Sequence, residues 1–268
     1  MTREVLVACV LLTSALGCTK SAAPAEPSAP LKVAAAADLG FAFKDIGEAF
    51  EKKTGQKVVF SFGSTGLLAK QLAEGAPFDV FAAANVSYVD EVVKAGACLE
   101  DSKSSYAQGR IVLWTKEGNA PPKTLADLAK PQFVKVAIAN PEHAPYGRAA
   151  KQALTKAGVW ETVSPKIVNG ENVQQTLQFA QSGNAEVAIV ALSLAIVSGG
   201  SFTPIDTAMH DPLEQALVVC KGAPQSAGKM QPIARSFTAF IASDEGRTIM
   251  KRFGFLLPGE SSSSARAN

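Results

Sequence analysis

The chain has few of the residues that metal sites and acid–base catalysis use most. Only two of its 268 residues are histidine, His143 and His210, and they form no H-x-x-x-H or H-E-x-x-H zinc pattern. The sequence also lacks a C-x-x-C pair, a Walker A loop, a Rossmann glycine pattern and a G-x-S-x-G nucleophile elbow. It therefore gives no support to a zinc site, a nucleotide site or an elbow-type serine hydrolase.

An excess of charge of either sign is also absent. Lys and Arg number 26 against 24 Asp and Glu, so the formal net charge is +2, and no block of basic residues occurs. Nucleic-acid-binding proteins concentrate Lys and Arg in patches or stripes, so we expect no nucleic-acid partner. Hydrophobic residues make up 47% of the chain and charged residues 19%, which is typical of a globular protein.

Long apolar runs are missing apart from one at residues 5–17. This run is shorter than the roughly 20 residues of a membrane span, so it is typical of a signal peptide at 1–17. It ends directly before Cys18 in the sequence LGC, which resembles a bacterial lipobox, although Ala15 stands where leucine is usual. We therefore predict a periplasmic or otherwise extracytoplasmic protein that touches the membrane only through a lipid on Cys18. Secretion without a lipid is the alternative.

Cysteine is scarce in the remaining chain, which keeps only Cys98 and Cys220. In an oxidising compartment these residues can form one disulfide, and two separate buried thiols are the alternative. Residues 18–30 are rich in Ala, Pro and Ser, which predicts a flexible tether, and 259–268 are typical of a disordered tail.

Between the tether and the tail, short apolar strands alternate with amphipathic helices. The predicted strands are 32–37, 57–62, 79–84 and 110–116 in a first series, 135–139, 166–168 and 186–192 in a second, and 216–220 at the end. Such alternation favours mostly parallel sheets flanked by helices. We predict two α/β lobes, the first made of 31–109 with 208–258 and the second of 110–207. Open α/β sheets bind ligands beyond the carboxyl ends of their strands, so we expect the site in the cleft between the lobes.

Four turns from strand to helix carry the candidate chemistry. They lie at 37–39, 63–66, 140–147 and 170–173. Each leaves unpaired backbone N–H groups at the positive end of a helix, and such ends bind anions without Lys or Arg. A single turn of this kind is ordinarily only a helix cap, but four that face one cleft favour an anion site.

Several segments resemble the periplasmic molybdate-binding proteins of ABC transporters. They are VAAAADL (33–39), FSFGSTGLLAKQLAEGAPFDVFAAA (60–84), ANPEHAPYGRAAKQAL (139–154), SPKIVNGENVQQTL (164–177) and FIASDEGRTIMKRFGF (240–255). The resemblance covers nearly all of 31–257 and implies a two-lobed periplasmic-binding-protein fold. It also implies a monomer that binds molybdate or tungstate and delivers it to an ABC permease, with no enzyme activity and no cofactor.

The resemblance further implies which residues contact the oxyanion, with no direct cation ligands among them. They are Asp38, Ser64, Thr65, Tyr146, Val173 and Ser193. Tyr146 and Val173 are expected to act through backbone N–H groups, and Ser64 and Thr65 through hydroxyls. Ser193 lies two residues after Ala191, which stands where some members have a ligand-binding tyrosine.

Asp38 departs from the family pattern, which usually has a serine there. Because an ionised carboxylate would repel a dianion, we expect Asp38 to cap its own helix by accepting from the N–H of Gly40 or Phe41. The alternative is that it accepts a hydrogen bond from a protonated ligand, such as phosphate at neutral pH; molybdate, tungstate and sulfate carry no such proton. A binding protein for another tetrahedral oxyanion, phosphate or sulfate, is therefore the alternative function. A hydrolase that uses Ser64 and His143, expected on opposite lobes, is the alternative from another class.

Overall fold

The computed structural model describes residues 29–225 and 227–260, so the predicted signal peptide, Cys18 and the tail beyond residue 260 lie outside the described residues. The strands are β1 (Leu31–Ala36), β2 (Val58–Gly63), β3 (Val80–Ala83), β4 (Ser104–Gly109), β5 (Ile111–Thr115), β6 (Val136–Ala139), β7 (Ile167–Gly170), β8 (Val187–Ala191), β9 (Ser201–Pro204) and β10 (Leu213–Val219). The helices are α1 (Ala42–Thr54), α2 (Thr65–Ala73), α3 (Val86–Lys94), α4 (Pro145–Lys156), α5 (Trp160–Val163), α6 (Val173–Gln181), α7 (Leu192–Ala195), α8 (Ala227–Ala242) and α9 (Asp244–Arg252).

The first sheet has the strand order β2-β1-β3-β10-β4. Strand β1 is parallel to β2 and β3, whereas β10 runs antiparallel to β3 and β4. Helices α1, α8 and α9 cover one face of this sheet, and α2 and α3 cover the other. Because helices bury both faces, the central strands β1 and β3 consist almost entirely of apolar residues.

The second sheet repeats this arrangement with the order β7-β6-β8-β5-β9. Strand β6 is parallel to β7 and β8, and β5 is antiparallel to β8 and β9. Helices α4 and α6 pack against its parallel half. The two sheets with their helices form two lobes, so the predicted two-lobed α/β fold is confirmed.

Each sheet is mostly parallel, as predicted, but mixed: one strand, β10 in the first sheet and β5 in the second, runs opposite to the other four. These two strands are the ones that follow the crossings between the lobes. Strand β4 leads through Arg110 directly into β5, and β9 is followed by β10 in the first sheet. The guanidinium of Arg110 donates to the carbonyl oxygen of Gly254 at 2.7 Å and 3.2 Å, which ties this crossing to the end of α9. The exact lobe boundaries stay a prediction.

Cys98 and Cys220 form a disulfide and face each other in an antiparallel bridge. Strand β10 runs antiparallel to β3, and Val219 pairs with Val80 at the start of β3. The disulfide therefore lies at the end of the first sheet away from the carboxyl ends of β1 and β3. Of the two alternatives left open by the sequence, the structure has the disulfide.

Candidate functional site

A small cavity lies between the carboxyl ends of the parallel strands of the two sheets. Its walls are formed by Ala36, Ala37, Asp38, Gly63, Ser64, Thr65, Ala84, Ala144, Pro145, Tyr146, Asn172 and Val173. The space open to the centre of a water-sized sphere is about 10 Å³, so the cavity is small. The two lobes are thus closed around a space for a single small solute, and five of the six predicted site residues line it.

Three helices begin at the cavity wall. The first N–H groups of a helix have no acceptor within the helix, and the residues before α2 and α4, Ser64 and Ala144, provide no side-chain cap. Before α6, the side chain of Asn172 accepts from the N–H groups of Gln174 and Gln175. The N–H of Val173, the first residue of the helix, is not bonded by this cap. The turns predicted to bind an anion therefore present uncapped donors to the cavity.

Thr65 adds a side-chain donor to these backbone groups. It is buried, and its Oγ1 accepts a hydrogen bond from the N–H of Ala84 at 3.2 Å. This contact uses a lone pair of the oxygen and leaves the hydroxyl proton available. The Thr65 hydroxyl can therefore donate at the cavity wall, and its role as a ligand contact stays a prediction.

The cavity has no positively charged side chain in its wall. Among the residues that line it, Asp38 is the only one with an ionisable carboxylate or a basic group. In the described part of the chain, no three His, Cys, Asp or Glu side chains come together in a way that could hold a metal ion. An anion in this cavity would be held by neutral donors and the positive ends of helices.

The prediction that Asp38 caps its own helix is wrong. Asp38 lies in a short 3₁₀ turn, where the N–H of Gly40 donates to the carbonyl of Ala37 at 3.3 Å. The Oδ2 atom of Asp38 instead accepts from the Tyr146 hydroxyl at 2.9 Å and from the Gln215 amide at 2.6 Å. Two distant donors that the fold brings together have displaced the local cap.

Sequence reasoning missed Tyr106 and Gln215, which complete a buried polar network around Asp38. The Tyr106 hydroxyl donates to Oε1 of Gln215 at 2.8 Å, and the Gln215 amide lies 3.1 Å from the Tyr146 hydroxyl. Gln215 is fully buried in β10, at a point where the register of the strand shifts. A glutamine at the start of an apolar strand was the one local signal that could have identified it.

Burial raises the pKa of Asp38 to about 6, and its two side-chain hydrogen bonds offset only part of this effect. The second carboxyl oxygen, Oδ1, is buried and has no hydrogen-bond partner among the described residues. Burial, followed by the nearby charge of Asp38, also raises the pKa values of Tyr106 and Tyr146 well above their usual value. Both phenols therefore remain protonated at neutral pH and act as donors.

Ser64 contacts the opposite lobe across the edge of the cavity. Its Oγ lies 2.8 Å from both Nδ1 and the carbonyl oxygen of His143, and the N–H of Gly66 donates to the same carbonyl at 3.0 Å. In the described residues no carboxylate hydrogen-bonds to the other ring nitrogen of His143. The structure thus brings together the two residues expected on opposite lobes, but without the third member of a catalytic triad.

Ser193 does not line the cavity, contrary to its prediction as a ligand contact. Its buried hydroxyl donates to the backbone carbonyl oxygen of Asp38 at 2.8 Å, so it joins the lobes instead. Near the cavity edge, the guanidinium of Arg148 lies over the Tyr88 ring at 4.9 Å and donates to its hydroxyl. These contacts add to the closed arrangement of the lobes.

Comparisons with known proteins agree with the geometry. The family model described as bacterial extracellular solute-binding protein matches residues 31–256. The molybdate-binding protein ModA of Azotobacter vinelandii is 36% identical over 248 residues, which are 91% of this chain and 96% of that protein. ModA of Rhodobacter capsulatus is 35% identical over 238 residues, 87% and 91% of the two chains. The solved periplasmic molybdate-binding protein of Azotobacter vinelandii has a TM-score of 0.77 at 31% identity, and the match covers 85% of this chain and 99% of that one.

Proposed function

We propose that this chain, which belongs to the bacterial extracellular solute-binding proteins, binds molybdate or tungstate between its lobes and delivers the anion to an ABC importer. One observation carries the proposal. The cavity is walled by the starts of α2, α4 and α6 and contains no Lys or Arg. Relatives that share more than a third of their residues with this chain are named molybdate-binding proteins, which supports the same ligand class here.

Neutral donors are sufficient for such a ligand. A hydrogen bond to a charged group contributes about 1.5–3 kcal/mol. A micromolar dissociation constant corresponds to about 8 kcal/mol, so a few donors to a dianion suffice even after the cost of ordering the lobes. The Thr65 hydroxyl and the backbone N–H groups of Thr65, Tyr146 and Val173 provide this set.

Selectivity would follow from the size of the anion. The donors are fixed on the starts of helices in two lobes, so they bond best to an anion whose four oxygens lie at matching positions. An anion with shorter bonds cannot bond to all of the donors at once. Molybdate and tungstate have nearly equal size, so we expect both to bind and sulfate to bind more weakly. Closure is favoured only by contacts that the closed state adds, such as the one between Ser64 and His143.

We also propose that the protein is not an enzyme. A hydrolase would use Ser64 as nucleophile and His143 as base, since the two lie 2.8 Å apart. The same Ser64 oxygen is equally close to the carbonyl oxygen of His143. The two contacts together are explained by a structural role, in which Ser64 holds the two lobes together. A screen with generic ester substrates separates the readings, because an enzyme would show turnover that Ser64→Ala abolishes.

We propose an extracytoplasmic location, with a lipid on Cys18 and a monomer that docks onto an ABC permease. The location is supported by the description of the matching family as extracellular. None of the helices within residues 29–225 and 227–260 combines the length and apolarity needed to cross a bilayer. Mass spectrometry of the protein from membranes tests the lipid, because a diacylglyceryl modification would appear on a peptide that begins at Cys18.

Calorimetric titration tests the ligand. The purified protein would be titrated with molybdate, tungstate, sulfate and phosphate at neutral pH. Micromolar or tighter binding of the first two, with sulfate at least tenfold weaker, is the expected result. Binding of phosphate or sulfate in preference to molybdate would overturn the ligand assignment, and a failure of all four anions to bind would overturn the proposed function.

A further inference from the structure

We propose that Asp38 binds the oxyanion as a neutral carboxylic acid, so that capture of each anion is accompanied by uptake of one proton from solvent. Asp38 would then be a hydrogen-bond donor that determines which anions bind and how binding depends on pH. This inference rests on the proposed function, because it concerns the same cavity.

The two oxygens of the Asp38 carboxyl group have different environments. Oδ2 accepts hydrogen bonds from Tyr146 and Gln215, at 2.9 Å and 2.6 Å. Oδ1 is buried, belongs to a residue that lines the cavity, and has no partner among the described residues. Because both donors hold Oδ2 as an acceptor, a proton added to the carboxyl group goes to Oδ1. An Oδ1–H group is a donor, and an oxyanion is the acceptor that it lacks.

Within the part of the chain that the structure describes, no cation compensates the charge of Asp38. The elements that pack against its turn, β2, α6 and α7, contain no charged residue. The titratable groups that face it, Tyr106 from β4 and Tyr146 from α4, are phenols that stay protonated. On α4 the side chain of Arg148 is engaged with Tyr88, and on β10 Glu214 is exposed. An ionised Asp38 next to a dianion would therefore leave three uncompensated negative charges in a buried space.

Protonation removes this repulsion and turns the contact into an attraction. Burial already raises the pKa of Asp38 to about 6 with the lobes closed and no anion bound. A dianion in the cavity raises the pKa further, because a like charge disfavours the ionised form. With this pKa roughly nine-tenths of Asp38 is ionised at pH 7 before the anion binds, and opening of the lobes increases that fraction because it exposes the carboxyl group to water. Binding therefore takes up roughly nine-tenths of a proton or more.

The sign of the pH dependence follows from this linkage. The bound state holds more protons than the free state, so affinity falls as pH rises above the pKa of Asp38 in the ligand-free protein, which is about 6 with the lobes closed. Molybdate does not itself take up a proton near neutral pH. The dissociation constant should therefore increase about tenfold per pH unit between pH 7 and 8, which corresponds to one proton.

The test is calorimetry with molybdate at pH 6, 7 and 8, repeated at pH 7 in two buffers with different ionisation enthalpies. The difference between the two buffers gives the number of protons taken up. For the unaltered protein we expect close to one proton at pH 7, and an affinity that falls as pH rises. For Asp38→Asn we expect almost no proton uptake and an affinity that does not change with pH. The asparagine amide can donate to the anion while its oxygen accepts from Tyr146 and Gln215.

Glu214→Gln is the matched control, since Glu214 is an exposed carboxylate that directly precedes Gln215 in β10. It should keep the pH dependence and proton uptake of the unaltered protein. Molybdate binding without proton uptake would overturn the inference and leave the proposed function intact. Absence of molybdate binding at every pH would overturn the proposed function itself. If Asp38→Asn does not fold, the two-buffer measurement on the unaltered protein still decides the question.

Discussion

The hydroxyl of Tyr146 in the second lobe donates a hydrogen bond of 2.9 Å to Oδ2 of Asp38 in the first lobe. Tyr146 also lies in the first turn of α4, at the cavity wall, where its backbone N–H has no partner within the helix. A single residue therefore presents its N–H at the cavity wall and its side chain to the opposite lobe. Under the proposed function, this arrangement would link binding of the anion to closure of the lobes.

Tyr146→Phe should weaken molybdate binding by roughly threefold to tenfold. The variant keeps the backbone donor but loses one hydrogen bond that exists only in the closed state, worth about 0.5–1.5 kcal/mol. Calorimetry gives the change in the dissociation constant. Tyr106→Phe is the matched control, because its hydroxyl bonds to Gln215 within the same sheet. Equal weakening by both variants would show that the network supports the first lobe and has no specific role in closure.

Thr65→Val should weaken molybdate binding by about tenfold or more. The substitution keeps the size of the side chain and removes the hydroxyl, whose proton is left for a ligand because its oxygen accepts from Ala84. A hydrogen bond to a charged ligand contributes about 1.5–3 kcal/mol, which sets this expectation. Thr65→Ser keeps the hydroxyl and should bind within about threefold of the unaltered protein. Unchanged affinity in the valine variant would remove this side chain from the site.

The sequence predicted most of the fold, because buried strands and amphipathic helices have a clear periodicity. It missed β4 and β9, whose sequences SSYAQG and SFTP contain few apolar residues and whose strand conformation depends on pairing with β10 and β5. It also placed Asp38 at the start of the first helix, as its cap, whereas that helix begins at Ala42 and is preceded by a separate 3₁₀ turn.

The role of Asp38 could not be predicted from local sequence. Its partners Tyr146 and Gln215 are 108 and 177 residues away along the chain, so the local propensity of aspartate to cap a helix gave the wrong answer. The backbone N–H groups at the cavity wall were easier to predict, because any helix that starts at the end of a strand leaves N–H groups unpaired.

Stability should depend on pH through Asp38. Its pKa of about 6 in the folded protein lies above the ordinary value of 3.8, so its favourable contribution is complete below pH 4 and is lost as pH rises through 6. The shift corresponds to about 3 kcal/mol. Denaturant unfolding at the two pH values checks this. Relative to the unaltered protein, the free energy of unfolding of Asp38→Asn should be higher at pH 8 than at pH 4 by about this amount. An equal difference at the two pH values would contradict the burial of an ionisable carboxyl group.

Loss of the disulfide should lower stability without changing affinity. Cys98 and Cys220 are 122 residues apart, and a cross-link over such a loop stabilises by about 2–5 kcal/mol. The bond lies at the end of the first sheet away from the cavity. Replacing both cysteines with serine should therefore reduce the free energy of unfolding by this amount and change the dissociation constant less than twofold. A larger loss of affinity would indicate that the bond positions Gln215.

A crystal structure of the protein with tungstate tests the central claim most directly, because the anomalous signal of tungsten locates the anion without ambiguity. We predict one tungsten peak between the lobes, with its oxygens about 2.7–3.2 Å from Thr65 Oγ1 and from the backbone nitrogens of Tyr146 and Val173. We also predict that no Lys or Arg side chain contacts the anion. A peak outside this cavity, or an anion held by a basic side chain, would contradict the claim that uncapped helix starts and neutral donors form the site.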